Sequence, residues 1–95
     1  MNYIIKNKIY TVDYNITDNV IYLTHIFIYD EYRGKGFSKK IIDTLQKKHF
    51  MPIILECWPT LVDFYKKLGF YQTGNISEDE YIEMKLNKGI KICQI

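Results

Sequence analysis

The sequence holds little that would staple or anchor it from outside. It has two cysteines, Cys57 and Cys93, in 95 residues. Two thiols make no disulfide framework, so a reducing, cytoplasmic setting is expected. Two histidines and two cysteines without ligand spacing offer no metal site. No apolar run approaches the roughly 20 residues that span a bilayer, so no membrane association is expected. The N-terminus, MNYIIKNK, has neither a long apolar core nor a small-residue cleavage site, which argues against a signal peptide. The formal charge is only +2 and no basic run exceeds a pair of lysines. No nucleic-acid partner is expected from that balance. There is no repeat, low-complexity tract or linker, and the length suits one domain with a modest core.

What is present belongs to an ordinary globular chain: 47% hydrophobic and 25% charged residues. Nine tyrosines stand out. With isoleucine and asparagine they point to strands, since aromatic and β-branched side chains fit pleated, half-buried surfaces. Strand patterns cover 3–6 and 9–15, with Asn7-Lys8 as a turn between them. Thr17-Asp18-Asn19 is a turn cluster. Residues 20–28, VIYLTHIFI, are apolar on both faces and read as a central strand. The spacing predicts a helix over 36–48, with Phe37, Ile41, Ile42 and Leu45 on its dry side. Pro52 opens a strand at 53–56, and Pro59 a helix over 59–68, with Leu61, Tyr65 and Leu68 on one face. Gly69 suits its C-terminal cap. Phe70-Tyr71-Gln72 begins a strand, 74–79 is a polar loop, and 80–86 alternates as the last strand. The order is β-β-β-α-β-α-β-β, an α/β (α+β) chain with a mixed, mainly antiparallel sheet and one parallel pair across the β-α-β crossover. The domain spans 1–86, and 87–95 is a tail or an extra strand.

The stretch YDEYRGKGFSKKII, residues 29–42, joins the strongest strand to the first helix. The first N–H groups of a helix have no partner within it and carry partial positive charge. An anion placed there accepts several hydrogen bonds at once. Gly34 and Gly36 let the backbone come close, and Arg33, Lys35 and Lys39 add charge. A plain turn explains two glycines equally well. A GxGxxG dinucleotide fingerprint fails at Lys39, although Glu56 ends the next strand where a ribose-binding acid would stand. That fold also needs more parallel strands than this chain supplies. A Walker loop is excluded, since no GxxxxGK[ST] run exists.

The run Arg33-Gly34-Lys35-Gly36-Phe37-Ser38 resembles the R/Q-x-x-G-x-G/A motif of the GCN5-related N-acetyltransferases, the GNAT superfamily. Upstream, IFIYDEYRGKG is similar to that family's L-x-V-x-P-x-x-R-G-x-G. Downstream, DFYKKLGF (63–70) is similar to its FYEKLGF hallmark. The resemblance covers roughly 3–86 and points to the compact, short-chain branch, with a GNAT-like fold and a reduced N-terminal arm. It implies that acetyl-CoA is the co-substrate. Backbone N–H groups around Arg33, Gly34, Lys35, Gly36, Phe37 and Ser38 would hold its pyrophosphate. Backbone groups of Ile26, Phe27 and Ile28 would hold the pantetheine arm. The strand 20–28 would splay from 53–57 and open a V-shaped slot for the thioester. Tyr65 takes the place of the family's tyrosine acid. Ser38 departs from the usual Gly or Ala, and Trp58 replaces an asparagine that often contacts the coenzyme.

The resemblance implies N-acetyl transfer to a primary amine, directly and without a covalent enzyme intermediate. Such a reaction needs a base, an N–H array for the oxyanion and an acid for the thiolate. His25 is a candidate base, since imidazoles titrate near neutrality, or else a hydrogen-bonded strand histidine. Glu56 is a second candidate base or a surface carboxylate. Tyr65 is a general acid or a core tyrosine. Cys57 is a nucleophile in a ping-pong route, or simply buried. The acidic Glu78-Asp79-Glu80 run is an amine attractant or a solvated loop. The acceptor is a small-molecule, protein or peptide amine, and the reduced arm leaves an open cleft that favours the larger ones. A non-catalytic acyl-CoA-binding or regulatory domain, and a plain interaction module, remain as other readings. The 87–95 tail, if it pairs with a neighbouring chain, would make a homodimer.

Overall fold

Local turn chemistry sets the first half of the sheet. Asp18 and Asn19 both take positive φ, 52° and 62°, as the two central residues of a tight hairpin require. They join β2 (Tyr10–Thr17) to β3 (Val20–Ile28). The turn before β2 is one residue longer than Asn7-Lys8 alone. β1 (Asn2–Lys6) ends at Lys6, and the Asn7 Oδ1 accepts the N–H groups of Ile9 and Tyr10 at 2.8 and 2.9 Å. That side chain replaces backbone partners and closes a three-residue loop.

The computed structural model describes residues 1–88. After β3 come a 3-10 turn (Asp30–Tyr32), α1 (Phe37–His49), β4 (Ile53–Cys57), α2 (Val62–Lys67), β5 (Tyr71–Ile76) and β6 (Ile82–Leu86). The six strands form one sheet in the order β1-β2-β3-β4-β6-β5. Only β3 and β4 pair in parallel; the other neighbours are antiparallel. This is the mixed, mainly antiparallel α+β sheet that the element order implied. The polar stretch 74–79 is a correction: β5 continues to Ile76, with an irregularity after Gln72. The reading of 87–95 falls, from residue 89 onward, outside the described residues. No helix among them is long and apolar enough to cross a membrane.

Both helices cover the same face. Each step, β3 to β4 and β4 to β5, moves the same way across the sheet, so right-handed crossovers put α1 and α2 on one side. The core confirms it. Ile41, Ile42 and Leu45 of α1 are buried against Val12, Tyr14, Ile21, Leu23, Ile53, Leu55, Phe70 and Met84, with Val62, Tyr65 and Leu68 packed beside them. Leu61 is the exception to the expected helix face. It closes a 3-10 turn, Pro59–Leu61, ahead of α2, and the tighter winding leaves it 40% exposed while Val62 turns inward. The opposite sheet face carries Tyr22, Ile54, Glu56 and Glu83, and no described helix covers it.

A single irregularity opens the sheet. Leu23 and His25 of β3 pair with the consecutive residues Tyr14 and Asp13 of β2. Thr24 is therefore an extra residue, a β-bulge, and its hydroxyl donates to the Asp13 carbonyl at 3.0 Å. A bulge bends its strand and raises the local twist. Pairing with β4 stops just before it, after Ile21–Ile53 and Tyr22–Ile54. Beyond that point β3 and β4 part.

At the far end of α1, the Tyr14 hydroxyl and His49 Nε2 share a 2.9 Å hydrogen bond, and Tyr3 stacks on Tyr14 at 5.0 Å. Burial pushes the His49 imidazole below its ordinary value, and Lys48 adds to the shift. The unfolded chain therefore binds the extra proton first. Stability is complete above the ordinary histidine value near 6.5 and is lost as pH falls through the folded one. Urea titrations from pH 7 to pH 5 should show this decline, and His49→Gln should flatten it. A variant that kept the full slope would assign the effect to other groups.

Candidate active site

The turn between β3 and α1 takes its shape from two left-handed glycines. Gly34 and Gly36 sit at φ 74° and 81°, a conformation that side chains with a Cβ adopt only with strain. A Cβ on either would meet nothing within 4 Å, so the turn opens onto free space. The first backbone bond of the helix runs from the Lys40 N–H to the Gly36 carbonyl, 3.3 Å. The N–H groups of residues 34–39 have no acceptor among the described residues. A row of unpaired donors at a helix start, on an open concave turn, fits an anion.

Arg33 departs from its expected role. Its own N–H already donates to the Asp30 carbonyl at 3.3 Å, so it is not one of the free donors. Its Nε donates to the Ile28 carbonyl at 2.8 Å, its Nη1 pairs with Asp30 at 3.1 Å, and its guanidinium lies 5.3 Å over the Phe27 ring. It braces the end of β3 against the turn. Phe37, at the start of α1, is held between the Tyr32 ring at 6.0 Å and the Lys40 ammonium at 5.3 Å.

A cavity of about 420 Å³ runs from this turn along the diverging end of β3. Ile26, Phe27 and Ile28 line it from the strand, Arg33, Gly34 and Ser38 from the turn, and Leu61, Phe64 and Tyr65 from the opposite bank. The ladder between β3 and β4 ends at the Tyr22–Ile54 pair, so the strand beyond it turns an edge without a β4 partner toward the slot. Lys35, Gly36 and Phe37 belong to the turn but not to this lining.

Tyr65 is held by the rings of Phe64 at 5.1 Å and Phe70 at 5.6 Å. Burial pushes its phenol above the usual range, with a further contribution from Cys57. The group stays protonated at neutral pH, as a proton donor must. Burial likewise pushes the Cys57 thiol up. A thiol in apolar surroundings with no cation to favour its anion is a poor nucleophile.

The two candidate bases lie on the other sheet face. Glu56 lines a second cavity, about 580 Å³, with Tyr22, Thr24, Tyr81 and Glu83. His25 is exposed, opposite Asp13 in the ladder and stacked on Phe27 at 6.5 Å, and it lines neither cavity. Trp58 is exposed and packs on Tyr81 at 4.8 Å. Residues 78–80 line neither cavity; Glu80 adopts φ 65° in the loop before β6. Leu61, Phe64 and Glu83 were not expected at a site. Leu61 carried only a helix-face signal, Phe64 stood only within the DFYKKLGF stretch, and Glu83 is placed by strand register.

The acetyltransferase (GNAT) domain family matches residues 6–86. No curated protein sequence matches the chain. Among solved structures it is similar to a mutant form of the spermidine/spermine N-acetyltransferase SpeG from Vibrio cholerae, with 24% identity and TM-score 0.70 over 87% of this chain and 59% of that one. It is also similar to the PaiA N-acetyltransferase from Thermoplasma acidophilum in complex with coenzyme A: 20% identity, TM-score 0.64, 83% and 53% covered. The anti-CRISPR protein AcrVA5 gives 16% identity and TM-score 0.67, with 90% of this chain and 98% of that one covered. The chain thus spans less than two thirds of the two N-acetyltransferases. At these identities the likeness is one of fold.

Proposed function

Since this chain belongs to the acetyltransferase (GNAT) domain family, we propose that it moves an acetyl group from acetyl-CoA to a primary amine by direct transfer. The observation that carries the reading is the slot. β3 and β4 part at the Thr24 bulge, the free N–H groups of 34–39 lie at one end, and Tyr65 faces the same cavity as Ile26, Phe27 and Ile28. The donors of the turn hold the pyrophosphate, with Lys35 and Lys39 adding charge. The open edge of β3 holds the pantetheine arm by strand-like hydrogen bonds. When bound there, acetyl-CoA supplies an activated acyl thioester.

The chain's own groups then divide the work. A neutral amine enters from the open sheet face, forms the new C–N bond, and the C–S bond breaks. Tyr65 donates its phenolic proton to the departing sulfur. Glu56, alone among the candidate bases in lining a cavity at the slot, takes the proton that the amine loses, directly or through water. No covalent step on Cys57 is needed. A reducing, cytoplasmic setting goes with this reading; Cys57 is a buried free thiol.

The test has two arms. At about 100 times its Kd, coenzyme A adds about 2.7 kcal/mol, which raises Tm by roughly 10 °C or more in a domain this small. No rise at saturating coenzyme A would remove every acyl-CoA reading. Thiol release from acetyl-CoA with a panel of amines then separates a transferase from a silent acyl-CoA-binding domain.

A further inference from the structure

The cavity on the uncovered sheet face has chemistry of its own. It sits where β3 and β4 part, with Tyr22 and Ile54 the last pair on its floor. Glu83 faces it from β6, directly opposite Glu56 in the β4–β6 ladder. Like charges in directly opposed positions weaken a sheet. Among the described residues neither carboxylate is in an ion pair; the one ion pair there joins Arg33 and Asp30. Lys85, next on that face of β6, bridges neither carboxylate. Yet Glu83 is held firmly: its Oε1 accepts the Thr73 hydroxyl at 2.7 Å and the Asn75 amide at 3.0 Å. Tyr22 and Tyr81 wall the cavity, and Trp58 backs the Tyr81 ring at 4.8 Å. A fixed carboxylate without an ion-pair partner, beside the Tyr81 ring, is a setting for an alkylammonium ion. The volume, about 580 Å³, suits a small molecule.

We propose that this cavity is the acceptor subsite and that the acceptor is a small aliphatic diamine. The inference rests on the acetyl-transfer reading and narrows it. One end of the acceptor stays an ammonium, held by Glu83 beside Tyr81, while Tyr22 walls the opposite end. The other end, neutral and next to Glu56, reaches the slot. Strands lie about 4.8 Å apart, so β6 is about 7 Å from the middle of the β3–β4 gap. A spacer of four or five methylenes covers that distance along Ile54. In the transfer, the neutral end gains the acetyl carbon and loses one proton. The sulfur leaves as a thiol, and the held ammonium is unchanged.

The test compares cadaverine, a five-carbon diamine, with pentylamine, which lacks the far charge. With the wild-type chain, kcat/KM for cadaverine should exceed that for pentylamine by about 10- to 100-fold, the effect of one charged hydrogen-bonded partner. Glu83→Gln keeps an acceptor for Thr73 and Asn75 and should bring the ratio close to one. Equal use of both amines by the wild type, an unaltered ratio in Glu83→Gln, or preference for a lysine peptide over both would overturn the proposal. If Glu83→Gln fails to fold by circular dichroism, Tyr81→Leu tests the same ratio. A calorimetric titration of cadaverine into the chain separates the two readings. If coenzyme A gives no thermal shift, the transferase reading fails. Binding that weakens in Glu83→Gln then still supports the diamine subsite, and absence of binding overturns it.

Discussion

Tyr65→Phe is expected to lower kcat by about 100-fold or more while KM for acetyl-CoA stays within about twofold. The substitution deletes one oxygen and leaves the ring between Phe64 and Phe70, so the fold and the cavity wall persist. What goes is the proton for the departing sulfur, a contribution made only as the C–S bond breaks. An interaction confined to that moment shows in kcat and not in ground-state affinity. The pH profile gives a second reading. Burial holds the Tyr65 phenol above its ordinary value, so its alkaline limb in kcat belongs above about pH 10. The Phe variant should lose that limb. Unchanged turnover, or an alkaline limb that survives the substitution, would leave Tyr65 as packing alone.

Much of the architecture was legible because the periodicities are clean. The apolar spacing of Ile41, Ile42 and Leu45 names the buried stripe of α1, and all three are buried. The bulge was also written in the sequence, but in a form that reads as something else. In VIYLTHIFI the inward residues are Ile21 and Leu23, then Ile26 and Ile28. The alternation changes parity across Thr24 and His25. That slip makes the strand look apolar on both faces, when it is one face with a register shift. The strand is central, third of six, but its outer side carries exposed Tyr22, Thr24, His25 and Phe27.

Other parts of the site depend on distance in sequence and could not be read from neighbours. Glu56 faces Glu83 only through the β4–β6 register, which local alternation in EYIEMKL does not specify. Arg33 looks like a phosphate ligand by charge and position. Its guanidinium instead finds the Ile28 carbonyl, Asp30 and the Phe27 ring, partners that already occupy its Nε and Nη1. A helical period run from Pro59 turns Leu61 inward, but the α-helix itself starts only at Val62, after the 3-10 turn.

Gly36→Asp is expected to abolish the rise in Tm that coenzyme A produces, at small expense to the ligand-free fold. Gly36 sits at φ 81°, and a Cβ placed there would meet nothing within 4 Å, so the substitution meets strain but no clash. A non-glycine residue there costs roughly 1–2 kcal/mol, and aspartate tolerates this region better than most. In a domain this small, about 1 kcal/mol lowers Tm by about 4–8 °C. The carboxylate stands over the unpaired N–H groups at the start of α1, where it repels a pyrophosphate and competes for the same donors. Gly36→Ala carries the backbone strain without the charge. It should show a similar ligand-free Tm and keep the larger part of the coenzyme A response. The contrast between the two variants assigns the loss to the anion site. If Gly36→Asp kept the full response, the cofactor's phosphates would have to be held elsewhere, and the turn would be no more than the hinge between β3 and α1.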